Sequence, residues 1–127
     1  MMPEKGDVLY SPISKTLVEV MHGNDVLPEC DGFPMKKLDP KTEDSRHEKH
    51  IPYVVEKDNG VLVKIGQNDE HPMTEEHYIY YIEVRTGDML LRKYLKPGDK
   101  PQAWFPVDLS QVVEVLEWCN IHGLWKA

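Results

Sequence analysis

Turn chemistry constrains this chain most. Asp58-Asn59-Gly60 separates two runs of β-forming residues, 53–57 and 61–65. Asn-Gly supplies the positive backbone angles of a tight hairpin, so the two runs are expected to pair antiparallel. Arg85-Thr86-Gly87-Asp88 divides residues 78–84 from 89–95 in the same way, and Pro97-Gly98 and Pro101 break the chain before Ala103-Trp104-Phe105-Pro106-Val107. Turn signals recurring at this spacing suggest an all-β chain folded as an antiparallel sandwich. Residues 108–119 are ambiguous: Val112, Val113, Val115, Leu116 and Cys119 fall at helical spacing behind a cap at Asp108 or Ser110. Their valine density favours a short turn at 108–111 and a strand over 112–119.

Upstream, residues 7–35 read as a smaller unit. It has a β-branched run at 17–21, a turn signal at His22-Gly23-Asn24-Asp25, and a second segment ending at Gly32-Phe33-Pro34. Residues 36–46 are nearly all charged or turn-forming and read as a linker or exposed loop. A chain of 127 residues has room for one ordinary domain, or for one of about 90 residues with a small appendage. The expected division is a β module at 1–38 and a sandwich at 39–127.

Composition narrows the partners. An apolar content of 40% with 29% charged residues describes a soluble globular protein. No run approaches a membrane span, and the N-terminus lacks the apolar stretch of a signal peptide, so a cytoplasmic location is expected. Fifteen basic residues against 22 acidic ones leave a net charge of −7, which argues against nucleic acid or an anionic membrane as the main partner. The two cysteines, Cys30 and Cys119, are too few for a disulfide framework and suit a reducing compartment. A Cys30–Cys119 bridge is the competing reading.

The chemistry-bearing residues concentrate late in the chain. In Cys119-Asn120-Ile121-His122-Gly123 a thiol and an imidazole three positions apart on a tight turn can both reach one metal ion. The bland alternative is a buried cysteine beside an unrelated surface histidine. Three further histidines sit in compact polar contexts punctuated by proline or glutamate: His50 before Ile51-Pro52, His71 before Pro72-Met73, and His77 after Glu75-Glu76. Four imidazoles and one thiolate could surround one ion.

Four strings carry a resemblance to a known family: Glu48-Lys49-His50-Ile51-Pro52; His71-Pro72-Met73-Thr74-Glu75-Glu76-His77-Tyr78-Ile79; Leu95-Lys96-Pro97-Gly98-Asp99-Lys100-Pro101; and Cys119-Asn120-Ile121-His122-Gly123-Leu124-Trp125. In order and separation they resemble the iron domain of the superoxide reductases, also called desulfoferrodoxins and neelaredoxins, over residues 47–127. The resemblance implies an immunoglobulin-like β-sandwich. It also implies one mononuclear non-haem iron per chain, with His50, His71, His77 and His122 in the base of a square pyramid and Cys119 at its apex. Glu48 would close the sixth position in the ferric state, and Lys49 would attract superoxide.

By the same resemblance the activity is one-electron reduction of superoxide to hydrogen peroxide. A rubredoxin-like donor restores the ferrous state, and the assembly is a homodimer or higher homo-oligomer. The donor set itself, five groups including a thiolate, has one ligand too many for tetrahedral zinc. A structural zinc module and an electron carrier without substrate are the rival readings. Many family members hold a second iron on four cysteines in the N-terminal module. The matching positions here are Ser11, Ser14, Cys30 and Asp31, so this module is expected to hold no metal, with Cys30 as a small apolar filler. Backbone amides of residues 120–122 are expected to donate to the Cys119 sulfur. Glu70, Glu75 and Glu76 are candidates for a shell around the imidazoles, Trp104, Trp118 and Trp125 for core or shielding roles, and His22 and His47 for exposed positions.

Overall fold

Antiparallel hairpins are the main building unit of the chain. A computed structural model describes residues 3–42 and 50–127, and the chain divides after Asp39 into two compact units. Among the described residues no helix is long and apolar enough to cross a membrane.

In the first unit, strands β1 (Val8–Tyr10) and β2 (Leu17–Glu19) pair antiparallel, and β3 (Glu29–Cys30) and β4 (Phe33–Pro34) form a separate hairpin. Asp31 and Gly32 turn that hairpin with positive φ of 52° and 80°, the backbone region that short polar side chains and glycine tolerate. A fifth strand, β5 (Lys36–Lys37), pairs with β1 at the sheet edge, so the loop expected over 36–46 begins later than its charge suggests. Lysines suit an edge, because the backbone pairs on one side while the side chains stay wet and discourage further pairing. Cys30 is half-buried, and its thiol donates to Ser14 Oγ at 3.2 Å. It makes a polar contact here and is not the apolar filler that was expected.

The second unit is an antiparallel sandwich, as the turn spacing suggests. One sheet has the order β10-β7-β6, from Gln102–Phe105, Gly60–Ile65 and Pro52–Lys57. The other has the order β12-β11-β8-β9, from Gly123–Lys126, Glu114–Cys119, Ile79–Arg85 and Leu90–Tyr94. Along β7 alternate residues point inward, and Val61, Val63 and Ile65 meet Ile79, Ile82, Val84 and Val115 from the other sheet in one buried cluster.

The first hairpin turns one residue earlier than the Asn-Gly pair suggests. Positive φ falls on Asp58 (51°) and Asn59 (62°), while Gly60 already pairs with Lys57 as the first residue of β7. Two adjacent residues with positive φ make the turn whose twist matches paired strands. Gly60 is required for another reason: a Cβ there would run into the carbonyl oxygen of Phe105 and the indole of Trp104.

Two further boundaries differ from expectation. A 3-10 turn, Leu109–Gln111, ends with Val112 N–H donating to Leu109 O at 3.1 Å, so the following strand starts at Glu114 and leaves Val113 exposed. Lys41, placed in the linker by its charge, is held by the sandwich: its N–H donates to Leu124 O at 2.9 Å, and its carbonyl accepts Lys126 N–H at 3.0 Å.

Gly60→Ala should destabilise the fold by roughly 1–3 kcal/mol, the range for forcing one extra carbon into a packed site. Gly87→Ala, where an added Cβ meets nothing within 4 Å, should be near neutral. Urea denaturation of both variants checks this, and equal midpoints would show that the close approach at Gly60 is not limiting.

Candidate metal centre

The segments that bear His71, His77, Cys119 and His122 are held by backbone bonds and turns. Residues 66–78 leave β7 through Gly66 (φ 91°), where a Cβ would strike Asp69 O, and return as His71 N–H donates to Ile65 O at 3.1 Å. A tight turn joins Thr74 to His77, with Thr74 N–H donating to His77 O at 2.9 Å and His77 N–H donating back to the Thr74 carbonyl at 3.2 Å. Gly98 N–H donates to Met73 O at 2.9 Å, which ties in the 95–101 string. Cys119 ends β11 where a bulge shifts the register opposite β8, and Gly123 (φ 86°) opens the return strand β12.

These segments bring four rings together. Centroids of His50–His71, His71–His77, His77–His122 and His122–His50 lie 4.6, 4.6, 5.0 and 4.6 Å apart. The cross-distance His50–His77 is 6.3 Å, close to the diagonal of a square of that side. Ligand atoms of His50, Cys119 and His122 lie within 4.8 Å of one another, as do those of His50, His71 and His77. Donors bound to one first-row metal at about 2.0–2.3 Å are at most roughly 4.5 Å apart, so a small contraction would let this set hold an ion.

The protonation pattern supports that use. His71 Nδ1 lies 2.7 Å from Pro72 O, which makes Nδ1 the protonated nitrogen and leaves the lone pair on Nε2. Among the described residues Nε2 of His71 and Nδ1 of His122 are buried and make no hydrogen bond. Burial pushes the His71 pKa down from 6.5 to about 4; the Pro72 carbonyl opposes this, and the rings of His50, His77 and His122 reinforce it.

His50 is enclosed by two groups. Its ring stacks on Trp125 with a centroid distance of 4.6 Å and an interplanar angle of 14°. Its Nδ1 lies 3.8 Å from Oε2 of Glu117, a carboxylate with no exposed surface. Sequence reading missed Glu117, yet a signal was available: strand period 2 puts residue 117 on the same inward face as Val115 and Cys119. Lys41 Nζ donates to His122 O at 3.0 Å and sits 5.2 Å from the centroid of the Trp125 ring.

Other expected residues fall elsewhere. Glu48, Lys49 and His47 lie outside the described residues. Glu70, Glu75 and Glu76 are exposed, and Glu70 faces Lys100 at 3.8 Å and not an imidazole. Trp104 is 42% exposed, with its indole N–H donating to Lys57 O at 2.7 Å, so of the three tryptophans it is Trp125 that shields the rings. The Asn120 backbone amide donates to Tyr78 O at 3.3 Å. Cys30 and Cys119 are both free thiols, which removes the disulfide reading. His22 is exposed, as expected.

The chain has clear relatives among known proteins. A family profile described as desulfoferrodoxin matches residues 42–127. A desulfoferrodoxin from Syntrophotalea carbinolica is 40% identical over 99% of this chain and 98% of its own length. A superoxide reductase from Pyrococcus abyssi is 31% identical over 68% of this chain and 90% of its own. The crystal structure of the superoxide reductase from Treponema pallidum superimposes with a TM-score of 0.74 at 27% identity, covering 98% of this chain and 99% of that one. The chain belongs to the desulfoferrodoxin family.

Proposed function

We propose that this protein is a superoxide reductase, with His50, His71, His77, His122 and Cys119 as the ligands of one non-haem iron. The observation that carries this reading is that donor atoms of His50 lie close to those of His71 and His77 on one side and to those of Cys119 and His122 on the other. Five donors of this kind suit iron better than tetrahedral zinc, and relatives named superoxide reductase support the choice of substrate. Iron held there would supply one electron to superoxide, which with two protons becomes hydrogen peroxide.

The protein's own residues have separable tasks in this scheme. His71 offers Nε2 as a lone pair because Pro72 O holds the proton on Nδ1. Glu117, facing Nδ1 of His50, favours the same arrangement there and leaves Nε2 for the ion. Trp125 covers the His50 ring and keeps water from that side. Cys119, wholly buried, contributes the one negative charge of the ligand set and a soft donor. Lys49 and Glu48, the sequence neighbours of His50, are assigned the attraction of superoxide and the closing of the open ligand position. In a chain of net charge −7 a local cation is needed to draw an anion over about a Debye length, on the order of 10 Å. The two protons would come from water, and iron held by these ligands would need an external one-electron donor, of rubredoxin type, between turnovers.

Stoichiometric metal analysis followed by titration with superoxide tests the proposal. The expected result is one iron per chain and one hydrogen peroxide per ferrous iron consumed. In the same titration Lys49→Ala should slow capture and flatten its dependence on ionic strength. Zinc at full occupancy, or iron that superoxide leaves reduced, would contradict the assignment.

Proton linkage gives a second test. Because His71 titrates near 4 when folded and near 6.5 otherwise, the unfolded chain binds the proton first as pH falls. In protein stripped of metal by a chelator, stability should be full above about 6.5 and decline by up to about 3 kcal/mol toward pH 4. Urea titrations across that range measure it, and a flat profile would contradict the buried, neutral state of His71.

A further inference from the structure

One side chain joins two of the ligand-bearing segments. Asn120, directly after Cys119, uses both ends of its carboxamide on the backbone flanking His77: Oδ1 accepts Tyr78 N–H at 3.0 Å, and Nδ2 donates to Glu76 O at 2.9 Å. Its own backbone N–H donates to Tyr78 O at 3.3 Å. The same Oδ1 lies 4.0 Å from Cys119 Sγ. This happens where the β11–β8 ladder ends, at the pair Cys119–Ile79 beside the bulge. The carboxamide thus carries the ladder on past its last backbone pair, substituting a side-chain amide for a peptide group.

From this geometry we infer that Asn120 is a positioning residue, which fixes the imidazole of His77 relative to the sulfur of Cys119. The backbone of His77 is also tied within its own segment, through the turn with Thr74 and the Thr74 hydroxyl, which accepts His77 N–H at 3.2 Å. The role demands one donor and one acceptor at the reach of a single methylene. An aspartate at this position would keep the acceptor for Tyr78 N–H, lose the donor to Glu76 O and add a negative charge beside the sulfur. An alanine would lose both bonds. The inference rests on the ligand assignment proposed above, and it adds to that assignment the residue that ties the third imidazole to the thiolate.

The test uses the full chain loaded with cobalt(II), whose thiolate absorption band reports the bond to Cys119 and whose affinity is measured by chelator competition. Asn120→Ala should lower affinity by about 10-fold to 100-fold, the usual effect of removing a group that orients a metal ligand, and should shift the band. Asn120→Asp, the more conservative change, should fall between Asn120→Ala and the unaltered protein. The decisive comparison is a double-mutant cycle: in a His77→Ala background, Asn120→Ala should cost little further affinity, because the ring it orients is gone. Unaltered affinity in both single variants would overturn the inference. So would an equal cost with and without His77, which is the mark of a merely structural role. Should the unaltered protein show no thiolate band at all, the ligand assignment itself fails, a result separate from either of these.

Discussion

Four imidazoles, two buried and two half-buried, crowded at centroid spacings near 5 Å set the conditions for everything around them. A proton on His71 would face the other three rings at short range and would also be poorly solvated, so its neutral form is favoured. Neutral rings bring lone pairs, and those must be aimed. The surroundings do this one ring at a time: Pro72 O takes the outer nitrogen of His71, Glu117 faces that of His50, and Trp125 closes off the His50 face. The sandwich is the rigid support that such a cluster requires. Its inward face supplies both the apolar floor and, at Glu117, a buried carboxylate set into β11.

Much of this was legible in the amino-acid order because its signals are local. Asp58-Asn59-Gly60 and the stretch 85–88 announce hairpins whatever else the chain does, since positive φ is costly for most residues. The histidine and cysteine positions stand out because few other roles gather so many imidazoles into short polar stretches. The structure brings together all five of the residues so marked.

What was hidden depends on contacts between distant segments. Lys36, Lys37 and Lys41 look like a charged linker, yet the backbone of each pairs with a strand that no local pattern identifies. Val112 and Val113 have strand propensity, but the 3-10 turn before them uses the Val112 amide. Gly60 is a glycine for packing against Trp104 and Phe105, a reason visible only once β10 lies beside β7. Asn120 belongs to the same group: in sequence it is one polar residue within a turn, and its work is done across forty-two positions of chain on Tyr78.

The proposed chemistry requires a thiolate and four imidazoles to share a single ion. X-ray absorption at the iron edge of the loaded protein measures that directly. The expected first coordination sphere is one sulfur scatterer at roughly 2.3 Å with four imidazole nitrogens nearer roughly 2.1 Å, distances usual for first-row metals. A sphere without sulfur, or with fewer than four imidazoles, would contradict it.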